Sequence, residues 1–339
     1  MRVGVIGTGN MGQHHARVYS QLPHLCELVG VYDLRQDQAR QVAARYHTRA
    51  FERLEDLLDG VDAVSIAAPT ALHHRIASET LEQGIATLVE KPIAAGLSEA
   101  EDLIETARAR GTVLQVVHVE RFNPAVVEIA RILETERIIG ISVERLSPFD
   151  PRISDVDVVL DLMIHDLDIV RSLNPGSDIS RMSAAGRAVR SEVNVDYATA
   201  TITFDNGVIA GLTASRVTED KVRRLEVSTA DAFVVLDYME RKITITRRTT
   251  FSGLQKPNYK QESLVEKVLV PLQEPLVAEL EHFLGCARSG DKPRVSGEDG
   301  LEALRAAEAI RSQIYGINAG RLGGPNAGPV GGPGGRLAR

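Results

Sequence analysis

Arg2-Val3-Gly4-Val5-Ile6-Gly7-Thr8-Gly9-Asn10-Met11-Gly12 begins as a short apolar strand, breaks into a glycine turn and enters a helical pattern. That pattern runs to Leu22 and stops before Pro23. Glycines at this spacing, between a strand and a helix, form the phosphate-cradling turn of a dinucleotide-binding βαβ unit. Gly7 allows the tight turn, Gly9 lets the backbone approach a pyrophosphate, and Gly12 lets the helix pack closely on the strand. The helix start, with Asn10 and Met11, supplies unpaired N–H groups and partial positive charge for phosphates. Leu28 to Tyr32 makes a second strand ending in Asp33, about 20 residues beyond the glycines. An acid there accepts hydrogen bonds from an adenosine ribose and repels a 2′-phosphate, so NAD is favoured over NADP. Arg35 keeps NADP from being excluded.

Outward from this unit, strands and helices alternate. Helical patterns at 35–46 and 55–58 precede a core strand at 63–68, and further strands follow at 87–89 and 115–119. Uniformly apolar strands separated by helices predict a parallel sheet covered on both faces, with ligands beyond the carboxyl ends of its strands. Those ends carry Pro69-Thr70-Ala71-Leu72-His73-His74 and Glu90-Lys91-Pro92. A loop lysine is ordinarily just solvated. Lys91, beside a glutamate, held by a proline and at a strand end, is instead aimed over the nicotinamide. His14, His15 and His74 read as helix-surface or core histidines without chemistry.

A second stretch, Val158 to Val170, has the apolar density of a buried helix yet carries Asp161, His165, Asp166 and Asp168. At 100° per residue Asp161, His165 and Asp168 fall within about 60° of one another, and Asp166 points elsewhere. Ionisable groups on such a helix cost several kcal/mol unless paired or facing a polar cavity. A core ion-pair network and a catalytic face both satisfy that condition.

Together, the glycine fingerprint, Ala68-Pro69-Thr70 followed by His73, Glu90-Lys91-Pro92 and the Asp161-to-His165 spacing resemble the glucose–fructose oxidoreductase/inositol dehydrogenase (Gfo/Idh/MocA) family. The resemblance covers Met1 to about Gly316 and implies that Lys91, Asp161 and His165 are the catalytic trio. It further implies NAD contacts from Pro69, Thr70, His73, Glu90 and Lys91, and a homodimer or homotetramer formed through the C-terminal sheet. The expected chemistry is hydride transfer from a carbinol carbon to NAD. His165, with an ordinary pKa near 6.5, suits the role of base. Asp161, one turn earlier, orients the imidazole, and Lys91 polarises the substrate oxygen; the reverse assignment of base and polariser stays open. Val119 to Val126 and Val159 to Asp166 most resemble the branch that oxidises the 3-hydroxyl of UDP-N-acetylglucosamine, whose ketone a PLP-dependent aminotransferase then aminates. A nucleotide diphosphate needs cationic or backbone donors: Arg121, Arg152 and Lys260 are candidates, and Asn123 is a further substrate-binding candidate. Arg152 and Lys260 read equally as surface charges, Arg121 also as a surface ion-pair partner, and Asn123, before Pro124, as a helix cap. Relatives of the fold also include NAD-dependent glycosidases and non-catalytic sugar or NAD sensors; retention of Lys91, Asp161 and His165 argues against a sensor.

The fold class expected is α/β plus α+β. Residues 1–119 form a Rossmann NAD-binding domain and 120–318 a substrate-binding and oligomerisation domain on a mostly antiparallel open sheet, its closing helix packed back on the first domain. After Asn174-Pro175-Gly176 the pattern turns to antiparallel β, with Asp205-Asn206-Gly207 as a hairpin turn. Residues 319–339, rich in Gly and Pro, read as a disordered tail. A net charge of -7 argues against nucleic-acid binding. Cys26 and Cys286 are too few for a disulfide framework or a zinc site, and no metal is implied. With no apolar run near the ~18 residues of a membrane span and no leader pattern, a soluble cytoplasmic protein is expected.

Overall fold

The computed structural model describes residues 1–150, 156–249 and 262–321; the candidates Arg152 and Lys260 lie outside these residues, as does the expected tail beyond Arg321. The first sheet comprises β1 (Arg2–Ile6), β2 (Glu27–Tyr32), β3 (Arg49–Phe51), β4 (Ala63–Ile66), β5 (Ala86–Glu90) and β6 (Leu114–Val117). Between them run α1 (Asn10–Ser20), α2 (Gln36–Arg45), α3 (Leu54–Leu58), α4 (His73–Glu82) and α5 (Leu97–Arg110). Every strand pair is parallel, in the order β3-β2-β1-β4-β5-β6. The strand order reverses between β1 and β4, which opens a crevice at their carboxyl ends. β3 was not anticipated: three residues, Arg-Ala-Phe, are too few to show a period.

After a 3₁₀ turn at Val119–Phe122 comes α6 (Pro124–Leu133), then β7 (Ile138–Leu146). Val159–Met163 is π-helical and runs directly into α7 (Ile164–Leu173). β8 (Ile179–Arg187), β9 (Tyr197–Phe204), β10 (Ile209–Ser215), β11 (Val222–Thr229), β12 (Ala232–Asp237), β13 (Lys242–Thr249) and β14 (Glu262–Leu269) complete a second sheet, and α8 (Pro275–Ser289) and α9 (Gly297–Arg321) close the chain. This sheet has the order β14-β13-β12-β11-β7-β10-β9-β8, antiparallel except where β7 pairs with β10. Its edge strands β8 and β14 were also unanticipated, because charges interrupt their apolar alternation, as is common at sheet edges.

One face of the second sheet packs on α6, α7 and α9, burying Ile141, Val143, Leu212, Leu225 and Val234 against Met163, Leu167 and Ile310. α8 instead lies on the first sheet's side, where Leu276, Leu280, Phe283 and Leu284 pack with Val18 and Tyr19. Each such side chain contributes roughly 1.5–3 kcal/mol on burial. α9 spans both cores, with Leu304 in one and Ala307 and Ile314 in the other. It continues to Arg321, so 319–321, expected to begin a disordered tail, are helical. Among the described residues no helix is long and apolar enough to cross a membrane.

Candidate active site

Each glycine of the opening turn meets a different physical demand. Gly7 has φ +89°, and a Cβ there would stand 2.5 Å from the Ala67 carbonyl oxygen. At Gly12 a Cβ would stand 1.9 Å from the Gly7 oxygen, whereas at Gly9 it would meet nothing within 4 Å. The turn is therefore closed where helix meets strand and open where a pyrophosphate has to approach. Gly7, Gly9, Asn10 and Met11 line a cavity of about 750 Å³ that extends to Asp33 on one side and to Pro69, Glu90 and Lys91 on the other. Asp33 accepts from the Thr8 amide (2.7 Å) and hydroxyl (2.9 Å) on one oxygen and from the Arg35 amide (2.8 Å) on the other. Burial opposes its charge, but these bonds outweigh burial and hold the carboxyl below its usual range. A carboxylate oxygen accepts more than one bond, so the outer oxygen retains room for a ribose hydroxyl.

Two expected cofactor contacts are placed differently. His73 is buried, with Nδ1 2.9 Å from the Pro92 carbonyl oxygen and Nε2 2.8 Å from that of Ala68. It ties together the loops that carry Pro69 and Lys91 and is not in the lining of this cavity. Thr70 begins a 3₁₀ turn beside the cavity without forming its wall. Leu34, Leu72 and Arg75 line it and were missed, having no motif of their own.

A second cavity, of about 730 Å³, shares Asn10, Met11, Glu90 and Lys91 with the first. Asp161 and His165 form its opposite wall. Lys91 Nζ donates to the Asp161 carbonyl at 2.8 Å and stands 3.8 Å from the Asp161 carboxylate. Burial lowers the Lys91 pKa, against the pull of Asp161 and Glu90. Burial, then the charges of Lys91 and Arg145, push the His165 imidazole well below its ordinary value. It is neutral at neutral pH.

The expected helix face is split. Asp161 sits in the π turn and His165 in the first turn of α7, and both reach the cavity. π turns recur at functional sites because they re-aim side chains within a helix. Among the described residues no hydrogen bond joins Asp161 to His165, whose Nδ1 has no partner. The expected orienting contact is thus replaced by one between Asp161 and Lys91. Asp168 faces away, 3.0 Å from Arg121 Nε and 3.9 Å from His118 Nδ1. Asp166 receives three close contacts from Arg145, at 2.8–2.9 Å. Asp157 accepts from the amides of Val159 and Leu160 and from Arg311 and Tyr315, anchoring the π turn to α9.

Arg121, expected at the diphosphate, is held in ion pairs, and Asn123, expected at the substrate, caps a helix and lines a cavity with Glu120 and Tyr238. Arg121 is clamped between Asp168 and Asp299 (3.1 Å). Asn123 caps α6 by accepting from the Ala125 amide and donates to Glu120. The cations that line the second cavity besides Lys91 are Arg145, Arg216, Lys221 and Arg223. They come from β7 (Arg145), the end of β10 (Arg216) and the start of β11 (Lys221 and Arg223), and only sheet register brings them together.

A glycine turn at the switch point of a doubly wound sheet, opening onto a lysine and a histidine, defines a dinucleotide-binding oxidoreductase. A family model described as "Oxidoreductase family, NAD-binding Rossmann fold" matches residues 1–118, and the GFO/IDH/MocA C-terminal domain matches 147–234. UDP-N-acetylglucosamine 3-dehydrogenase of Acidithiobacillus ferrooxidans is 35% identical, over 93% of this chain and 97% of that protein. The scyllo-inositol 2-dehydrogenase (NAD(+)) of Bacillus subtilis is 28% identical over 93% of this chain and 94% of its own. A crystal structure of the Acidithiobacillus enzyme superposes with a TM-score of 0.86 at 34% identity, covering 94% of this chain and 98% of that one. This chain belongs to the GFO/IDH/MocA oxidoreductase family.

Proposed function

We propose that this protein oxidises the 3-hydroxyl of UDP-N-acetylglucosamine to a ketone with NAD as acceptor. The observation that carries this reading is the junction of the two cavities at Asn10, Met11, Glu90 and Lys91, which sets a dinucleotide cleft against a cation-lined chamber. The 35% identity to a UDP-N-acetylglucosamine 3-dehydrogenase supports the choice of sugar. NAD, when bound, takes the hydride from the carbinol carbon. Gly9 leaves room for the pyrophosphate, and Asp33 favours a free ribose diol over a 2′-phosphate. Lys91, braced on the Asp161 carbonyl, donates to the sugar oxygen and stabilises the alkoxide as it forms. His165, held neutral by burial and by neighbouring cations, accepts the hydroxyl proton. Asp161 offsets part of the charge of Lys91 and keeps it aimed.

A 3-keto sugar of this kind is a substrate for a PLP-dependent aminotransferase, which places the reaction in amino-sugar synthesis for the cell envelope. Assembly into a dimer or tetramer uses the uncovered face of the second sheet, where Tyr197, Ile209 and Phe233 are 41%, 52% and 40% exposed. The test is a panel of nucleotide sugars, free sugars and inositols with NAD and with NADP, following reduced cofactor and capturing ketone with an aminotransferase. Turnover of UDP-N-acetylglucosamine with NAD above every other pair is expected. A preference for inositol or for a free sugar would overturn the reading.

A further inference from the structure

In the antiparallel ladder of β7 and β11, Arg145 and Arg223 are directly opposite one another. Like charges at such positions destabilise a sheet unless other groups offset them. Arg145 is fully engaged, by Asp166 and, at 3.1 Å, by Glu120. Arg223, half-buried, has among the described residues only a 3.6 Å ion pair to the same Glu120 oxygen. Lys221, two residues earlier, has no carboxylate within ion-pair distance among the described residues, and it faces the same chamber. Arg216 and Asp150 on that wall are already engaged, Arg216 with Asp196 at 2.8 Å. Three cations therefore meet two carboxylates. Arg223, then burial and Arg145, depress the Lys221 ammonium, and burial followed by Arg145 depresses Arg223. An anion between them would relieve that repulsion.

Arg223 and Glu120 also line a third cavity, of about 310 Å³, with Tyr238, Met239 and Arg241. The Tyr238 hydroxyl is buried there without a hydrogen-bond partner among the described residues. Arg223 thus stands on the wall between a chamber that ends at Lys91 and His165 and a side cavity with an unpaired hydroxyl.

We infer that Lys221 and Arg223 bind the diphosphate of the nucleotide sugar, and that the side cavity at Tyr238 receives its nucleoside. The assignment rests on the nucleotide-sugar reading above and stands in place of Arg121, whose guanidinium is held by Asp168 and Asp299. A pyranose at Lys91, an anion at Arg223 and a nucleoside beyond it follow the order of groups along such a substrate.

The experiment measures binding of UDP and of inorganic pyrophosphate by calorimetry, together with inhibition by UDP, in the full chain. Lys221→Ala and Arg223→Gln are each expected to raise the UDP dissociation constant and the KM for UDP-N-acetylglucosamine together by about tenfold or more, the loss of one hydrogen bond to a charged group. Arg223→Lys should recover part of the loss. Arg224→Ala, one residue on and paired with Glu226, should leave UDP binding unchanged. Tyr238→Phe should narrow the preference for UDP over pyrophosphate. UDP affinity unchanged in both Lys221→Ala and Arg223→Gln overturns the subsite while leaving the oxidation of UDP-N-acetylglucosamine intact. UDP bound through these two residues, with no turnover of any UDP-sugar, upholds the subsite and refutes the proposed reaction. Lys221 is exposed, so its variant keeps the test valid even where Arg223→Gln fails to fold.

Discussion

Lys91 Nζ donates to the backbone carbonyl of Asp161 at 2.8 Å, across the boundary between the two sheets. The lysine leaves the end of β5, and the carbonyl belongs to the π turn before α7. One hydrogen bond thus fixes the two halves of the candidate site relative to each other. A π turn widens the ladder of backbone bonds, and here one of its carbonyls accepts from Lys91.

If His165 and Lys91 carry the chemistry, His165→Asn should leave the melting temperature and NAD affinity unchanged and cut turnover by about 10²–10⁴. Lys91→Ala should do likewise, and the double variant should lose far less than the product of the two, because the groups act as a unit. Single-turnover rates decide this. A destabilised but fully active His165→Asn would sink the mechanism.

The pH profile supplies an independent check. His165 must be neutral to take a proton, and burial, Lys91 and Arg145 lower its pKa. The acid limb of kcat/KM for oxidation should therefore lie below pH 6.5, the ordinary imidazole value. Removing a nearby positive charge favours the imidazolium, so the residual activity of Lys91→Ala should show that limb at higher pH. A limb that stays in place would dissociate the profile from His165.

Asp33→Ser should weaken NAD and narrow its advantage over NADP, measured by titration with both reduced cofactors. The buried Thr8 amide also loses its acceptor, at a cost of about 1–3 kcal/mol of stability. A wild-type protein that binds NADP more tightly than NAD would contradict the role given to Asp33.

Arg121→Ala should act on stability and not on the sugar. It leaves the carboxylate of Asp168, 3% exposed, without its closest cation, a change that costs about 3–5 kcal/mol in a buried pair. The KM of the folded fraction should hold. A large rise in KM with little destabilisation would return Arg121 to the substrate.

Glu279 on α8 is fully buried, and burial, then Glu90 and Asp168, push its carboxyl well above the usual range. The native state therefore holds this proton more tightly than the unfolded chain. The stability it contributes is complete below about pH 4.3 and declines as pH rises toward the folded value. Glu279→Gln keeps the group neutral, so it should raise the melting temperature near pH 8 and leave it nearly unchanged near pH 4. An equal effect at both pH values would show that ionisation is not the cause.

Much of the first sheet is legible in the chain because its signals are local. Gly7, Gly9 and Gly12 specify a turn within six residues, and uniformly apolar strands specify burial on both faces. The hairpin at Asp205-Asn206-Gly207 is legible for the same reason. By contrast, the charges on the stretch from Asp161 to Asp168 were ambiguous, since spacing says which residues share a face but not what faces them. The structure divides them. Asp161 and His165 reach the cavity, Asp166 holds Arg145, and Asp168 holds Arg121.

The sequence by itself determined the dinucleotide turn and the acid at the end of β2, which follow from backbone geometry within a few residues; that Lys91 and His165, 74 positions apart, belong to one site was implied only by the family resemblance. Only the tertiary structure decided which cations line the chamber. Arg121 and Arg145 look alike along the chain, but ion pairing is set by long-range register. β11 lies beside β7, so Arg223 and Lys221 join Arg145 in the chamber, while α7 and α9 bring Asp168 and Asp299 to Arg121 and withdraw it.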